Sequence, residues 1–374
     1  MPTFQTHKFH LNNDLITFFR NKINSSGYVL QAYKNQDGKN RWNIICSAMD
    51  WIDVSIEGIN SQTLSRETGH EAGIALILYL SCASILWESI QQLHRVFIDS
   101  SQIPFEDEAS IFKDKAYQTT DNRYFQTIRS CFQAHPVNLK DFEEETEKRF
   151  AAWPSANFGK GDLSTILYSN VAGKQDIYFD IHFNELHNFL SQRYEHLTTI
   201  ADAIGNQEQE YIKLLIDTPI EKSDDPVEQI NTLCSMLDSR LCDGYSYDLE
   251  RFKVLFEAEI TNTKNLEVVS AYRQKALKAI CKIYSNMQSM DYSDESWLQE
   301  IEVGSTYNYY YSKFCDLVFG GTSSWGLTIL PNVVTAFTEQ LQGIVDLSAY
   351  SDISELYTLI ETGLYAKKQL APSA

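Results

Sequence analysis

The sequence predicts a mainly α-helical protein, and three observations carry that prediction. Apolar residues recur at three- and four-residue spacing nearly everywhere outside residues 160–185. Pro and Gly are scarce, at 8 and 16 in 374 residues, which favours long helices over a many-turned β architecture. Hydrophobic residues make up 43% and aromatics 13%, enough to fill a large core. The expected order is an N-terminal helical bundle, a small β-hairpin near 164–183, and an all-helical C-terminal region.

Residues 10–22 read as a helix, with Asn13 as N-cap before Leu15, Ile16, Phe18 and Phe19. The stretch from Tyr33 to Arg41 is polar and contains the turn signal Asp37-Gly38. A helix follows over about 42–59, with Ile45, Met49, Ile52 and Ile56 on one face. After a polar loop, a second long helix covers about 70–98. Its apolar run from Gly73 to Trp87 is too short to span a bilayer and predicts a helix buried on all sides. Its last turns are amphipathic, with Trp87, Ile90, Leu93, His94 and Phe97 sharing a face. Residues 99–120 are polar and irregular. A third helix runs over about 121–134, and Pro136 disturbs its end because the residue before a proline is pushed out of the α region.

The charged run 141–150, helical or simply solvated, leads into a boundary rich in turn residues around Trp153-Pro154 and Asn157 to Asp162. Segments 164–170 and 176–183 then form the hairpin, the second alternating Ile177, Phe179, Ile181 and Phe183 against polar neighbours. Helical patterning returns at about 185. It continues to the end in about seven helices, broken near Gly205, Asp217–Pro226, Asp243–Tyr245, Thr261–Asn265, Asp291–Asp294, Gly320–Trp325 and Leu347–Asp352. The expected domains are 1–150, a connecting segment 151–184, and an acidic all-α domain 185–374.

Net charge is −19 and unevenly spread. Residues 1–140 hold 13 Lys/Arg and 14 Asp/Glu, whereas residues 141–374 hold 18 and 36. The acidic part repels phosphate at long range, which disfavours generic nucleic-acid binding there and leaves room for a basic protein partner. Seven cysteines, without a C-x-x-C pair, fit small buried hydrophobes in a reducing compartment. The start MPTFQTHKFHLNND lacks the basic-then-apolar order of a secretory signal. The expectation is a cytoplasmic protein with no membrane contact.

Few motifs carry chemistry. Tyr307, Tyr310, Tyr311 and Phe314 have the spacing of a core-facing helix stripe, although aromatics also stack bases. His182, His187 and His196 fit no compact zinc motif, and scattered structural histidines are the plainer reading. There is no nucleophile elbow, P-loop or dinucleotide fingerprint, and Gly320-Gly321 lacks the following Lys-Ser/Thr of a phosphate cradle. No cofactor and no metal is expected.

What remains is Arg129-Ser130-Cys131-Phe132-Gln133-Ala134-His135-Pro136. Cutting RNA with its own 2′-hydroxyl needs a proton acceptor near neutral pH, which suits His135, and a cation for charge growing on phosphorus, which suits Arg129. Ser130 is a supporting polar group. A six-residue offset on a regular helix sets Arg129 and His135 about 120° apart, poor for converging on one phosphate. Either Pro136 swings His135, or a second subunit supplies the complementary residue. The plainer alternative is that Arg129 pairs with an acidic residue and His135 caps the helix.

Two long helices, a polar loop and a shorter helix carrying Arg, five residues, His and then Pro resemble the HEPN superfamily of helical-bundle ribonucleases and toxin-like domains. The resemblance covers about residues 42–140 and includes the polar edge Trp87-Glu88-Ser89-Ile90. It departs at Ser130, where the family often has Asn. It implies a homodimer with a dimeric cleft and a metal-independent endoribonuclease, as in toxins and antiviral effectors, acting on RNA at a local site. The alternative is a non-catalytic helical dimerisation protein whose acidic C-terminal half binds a partner.

Overall fold

The computed structural model describes residues 6–67, 69–132, 147–293, 307–320, 324–348 and 350–370. Among them are twelve α-helices and five short strands, so the protein is mainly α. It divides into two compact units, Met1–Gln209 and Glu210–Ala374. The turn-rich stretch and the end of the hairpin suggest boundaries at 150 and 184, both of which fall inside the first unit.

In the first unit, β1 (Thr6–His7) pairs antiparallel with β2 (Leu64–Ser65), a two-residue ladder too short to leave a sequence signal. Helix α1 (Asn13–Asn24) is capped by Asn12, whose side chain accepts from the Asp14 amide at 2.9 Å, so Asn13 is the first helical residue and not the cap. A short α2 (Tyr28–Tyr33) buries Val29 and Tyr33 in a stretch where the sequence predicts no element. Helix α3 (Trp42–Ser61) buries Ile45, Met49, Ile52 and Ile56, the face its spacing predicts. Helix α4 (His70–Phe97) packs along α3. A side chain at Gly58 would meet Cys82 Sγ at 2.5 Å, so glycine there permits the close approach of the two helices.

Helix α4 is long and apolar enough to cross a membrane, but 56% of its most apolar window is buried inside the protein. It is not buried on all sides. Ile74 and Leu78 are 50% and 49% exposed, and on α3 Ile44, Trp51 and Val54 are exposed as well. The hairpin of α3 and α4 therefore keeps one open, largely apolar face.

Helix α5 (Asp121–Phe132) is the third helix of the bundle. Its first turn organises the irregular 99–120 segment. Buried Asp121 accepts from the amides of Ile111 and Phe112 and pairs with Lys115 at 2.8 Å. Asn122 donates to the carbonyls of Pro104 and Phe105, pinning Phe105 at a φ of 60°, a region non-glycine residues seldom adopt. Residues 133–146, including His135, Pro136 and most of the charged run, lie outside the described residues.

The hairpin is a three-stranded sheet. Strand β4 (Leu163–Ser169) lies between β3 (Arg149–Ala151) and β5 (Ile177–Ile181), all antiparallel. The third strand closes the charged run, where Arg149 is buried because it pairs with Glu147 at 2.7 Å and donates to the carbonyls of Leu167 and Gln175. Helix α6 (Phe183–Asp217) then runs unbroken for 35 residues, passing through Gly205. One helical glycine costs about 1 kcal/mol, too little to end a helix whose face buries Leu186, Leu190, Leu197, Ile200 and Ile204.

Arg193 on α6 is fully buried. Its guanidinium stacks on Phe189 at 4.0 Å and Phe105 at 4.7 Å, pairs with Glu108 at 2.7 Å and donates to Asn122 Oδ1 at 3.1 Å.

The second unit contains α7 (Pro226–Met236), α8 (Ser246–Glu257), α9 (Leu266–Ser289), α10 (Asn308–Phe319), α11 (Ser324–Gln340) and α12 (Ile353–Leu370). Asp225 caps α7 by accepting from the Glu228 amide at 2.9 Å, with Pro226 in the first turn. The stripe Tyr307, Tyr310, Tyr311 and Phe314 packs into this unit's core, with Phe314 fully buried. Inside, Arg251 of α8 pairs with Glu361 of α12 at 2.9 Å, and Tyr272 of α9 donates to the same carboxylate at 3.2 Å. Tyr311 of α10 also hydrogen-bonds Glu361.

Arg193→Ala leaves Glu108 without its cation and opens the aromatic box. The expected loss of stability is about 3–5 kcal/mol, read from the urea unfolding midpoint. A loss under about 1 kcal/mol would show that the box does not depend on the charge.

Candidate functional site

Of the three residues singled out in the sequence, the structure places Arg129 and Ser130; His135 lies outside the described residues. The buried residues of α5, from Tyr124 and Phe125 to Ile128 and Phe132, fix one face inward and leave Arg129 and Ser130 towards the surface. Arg129 donates to Glu88 Oε1 of α4 at 2.5 Å, with side chains 43% and 61% exposed. An exposed pair of this kind contributes at most about 1 kcal/mol, so it orients the guanidinium more than it stabilises the fold. Ser130 Oγ donates to the Gln126 carbonyl at 3.0 Å, a bond inside α5 that uses its only donor.

Glu88 belongs to a second feature that spacing alone did not reveal. Between α3 and α4 on their open face lies a groove of about 530 Å³. Ile44, Ala48, Trp51 and Ile85 supply its apolar lining, and Asn43, Ser47, Glu88, Ser89 and Gln92 its polar groups. Arg129, through Glu88, stands at its edge. Hydropathy conceals such a groove, since Trp51 and Ile85 sit among residues that are core and the tally does not record which are uncovered. A smaller recess of about 170 Å³ in the second unit is lined in part by Cys242 and Tyr292. Burial pushes the Cys242 thiol up to about 11, so it is a poor nucleophile.

The histidines hold structural places. His187 stacks on Phe9 with ring centres 4.5 Å apart. His196 of α6 meets His94 of α4, Nε2 to Nδ1 at 3.0 Å, a pairing across 102 residues that no local pattern shows. The buried Nε2 of His94 has no hydrogen-bond partner. Burial, and then the neighbouring His94, lower His196 to about 4, and burial also lowers His94. Phe105 lies against His196 and also covers the Arg193 guanidinium. Among the described residues no group of three or more His, Cys, Asp or Glu is arranged to hold a metal. The seven cysteines, Cys131 buried among them, form no disulfide.

Two outcomes follow from these contacts. Both paired histidines are neutral in the folded protein, while in the unfolded chain they take up protons near their ordinary value of about 6.5. Their contribution to stability is therefore present above about pH 6.5 and lost as the pH falls towards 4. Urea midpoints at pH 7.5 and 5 should fall further for the wild type than for His196→Gln; equal falls would remove the pair from the acid response. Arg129→Ala should change stability by less than about 1 kcal/mol, so the residue can be tested in a folded protein.

No protein-family model, no curated protein and no solved structure matches the chain, and any functional reading rests on its own residues and their geometry.

Proposed function

We propose that the protein is a metal-independent endoribonuclease of the HEPN kind, working as a homodimer in the cytoplasm. The observation that supports this best is the position of Arg129. It is an exposed guanidinium, held by one carboxylate that itself lines the groove between α3 and α4. A fork-shaped, permanently charged donor suits the non-bridging oxygens of a phosphodiester. His135 takes the proton of the 2′-hydroxyl, the oxygen attacks phosphorus, and the 5′-oxygen leaves with a proton returned to it, giving a 2′,3′-cyclic phosphate. Ser130 acts through the end of α5, not on the substrate. A toxin or defence role follows from the HEPN resemblance alone.

The second reading, a dimerisation protein without catalysis, is favoured by Val54, Ile74 and Leu78. These aliphatic side chains of α3 and α4 are exposed outside the groove lining, and exposed apolar surface on paired helices suits association. In either reading a second copy covers this stretch; the acidic C-terminal half regulates or targets the nuclease in the first and receives a basic partner in the second.

Purified protein should cleave RNA in EDTA and leave cyclic phosphate ends. His135→Ala should lower the rate by about 10²–10⁴-fold with fold and oligomer intact, and Arg129→Lys should be severely impaired because a point charge does not replace a fork. Full activity of His135→Ala, or activity that vanishes on chelation, would leave the dimerisation reading. A monomer in light scattering at tens of micromolar, still active, would overturn the composite site.

A further inference from the structure

We propose that the groove between α3 and α4 is a subsite for an unpaired nucleobase, with Trp51 as its stacking surface. The inference rests on the RNA-cleavage reading for its ligand class, but its own support is the lining. Trp51 is 53% exposed although it lies in the middle of a packed helix, so the ring is presented and not buried. Asn43 from α3 and Gln92 from α4 are both exposed and stand on the two helices that form the walls. Amides carry both a donor pair and an acceptor, the equipment for reading the edge of a base.

The charges sort the parts of a nucleotide. Glu88 lines the groove, and its carboxylate repels a phosphate placed inside it. A base is uncharged and meets no such penalty. Arg129 is bonded to that carboxylate at 2.5 Å and has further donors, which a phosphate attached to a stacked nucleotide could engage. A volume of about 530 Å³ lies within the range of small-ligand sites, about 300–1,000 Å³, and accommodates a base with its ribose.

A second copy of the chain fits this half of the face less well. Asn43 and Gln92 are exposed in its lining, and a second copy that buried them without partners would carry a desolvation cost that a base edge, with its own donors and acceptors, does not. Val54, Ile74 and Leu78, exposed aliphatic side chains outside the groove lining, suit that occupant better.

The test uses the full-length protein and a mixed-sequence 2′-O-methyl oligoribonucleotide, which cannot be cut by its own 2′-oxygen. Fluorescence anisotropy should show binding by the wild type, a loss of at least about tenfold in affinity for Trp51→Ala, and recovery in Trp51→Phe. Asn43→Ala and Gln92→Ala should shift preference among bases more than overall affinity. An abasic oligonucleotide should bind the wild type and Trp51→Ala equally. Unchanged affinity in Trp51→Ala would overturn the subsite while leaving cleavage in EDTA to stand or fall by itself. Conversely, Trp51-dependent binding without cleavage would retain the subsite and end the nuclease reading. If Trp51→Ala instead converts a dimer to monomer without altering oligonucleotide affinity, the groove is a contact between copies and the proposal is wrong.

Discussion

Burial of the Arg193 guanidinium is the constraint around which the first unit is built. Removing a permanent charge from water costs several kcal/mol unless it is paired and hydrogen-bonded. Here the compensation is drawn from widely separated segments. Glu108 and Phe105 come from the 99–120 segment, Asn122 from α5, Trp87 from α4 and Phe189 from α6 itself. No local stretch meets that demand alone, so satisfying it fixes three helices and a loop together. The unusual φ of Phe105 is held by Asn122, the same residue that accepts from Arg193. With α4 and α5 fixed in this way, Arg129 comes within reach of Glu88 and the edge of the groove.

The second unit solves a similar problem with different chemistry. Glu361 is buried and pairs with the half-buried Arg251, and tyrosine hydroxyls add to the bonding of both. Burial alone would depress the pKa of Arg251, but Glu361 beside it reverses the direction, and the guanidinium stays charged. For Tyr272, burial and then Glu361 both raise the hydroxyl well above its ordinary value, which keeps it a donor. A network with partners on α8, α9, α10 and α12 specifies which helix faces meet, because a shifted packing would strand a charge.

Electrostatics explains why any RNA contact must be local. With a net charge of −19 the chain as a whole repels a polyanion, and Glu88 does so inside the groove. In the proposed subsite attraction would come from short-range terms, stacking on Trp51 and one guanidinium, and not from a basic surface. Few counterions are released in such an encounter, so its salt dependence is shallow compared with that of a protein that tracks the phosphate backbone.

Helix positions were legible because each buries one face, and a buried face writes itself as a period. Ile45, Met49, Ile52 and Ile56 on α3, the Trp87 to Phe97 face of α4, and the Tyr307 to Phe314 stripe of α10 all follow that rule. The alternation of β5 was legible for the same reason, whereas β1, β2 and β3 were not, since two or three residues carry no period. Arg129 was found as a residue type suited to phosphate, but its bond to Glu88 spans 41 positions and depends on how α4 and α5 pack. The groove, the pairing of His94 with His196 and the box around Arg193 share that property. The sequence by itself determined where most of the long helices lie and which of their faces are apolar, because those depend on neighbours within two turns. The short α2 and the continuity of α6 through Gly205 depend instead on packing. Only the tertiary structure decided which apolar face stays open and which charges meet, because both depend on contacts between residues distant in the chain.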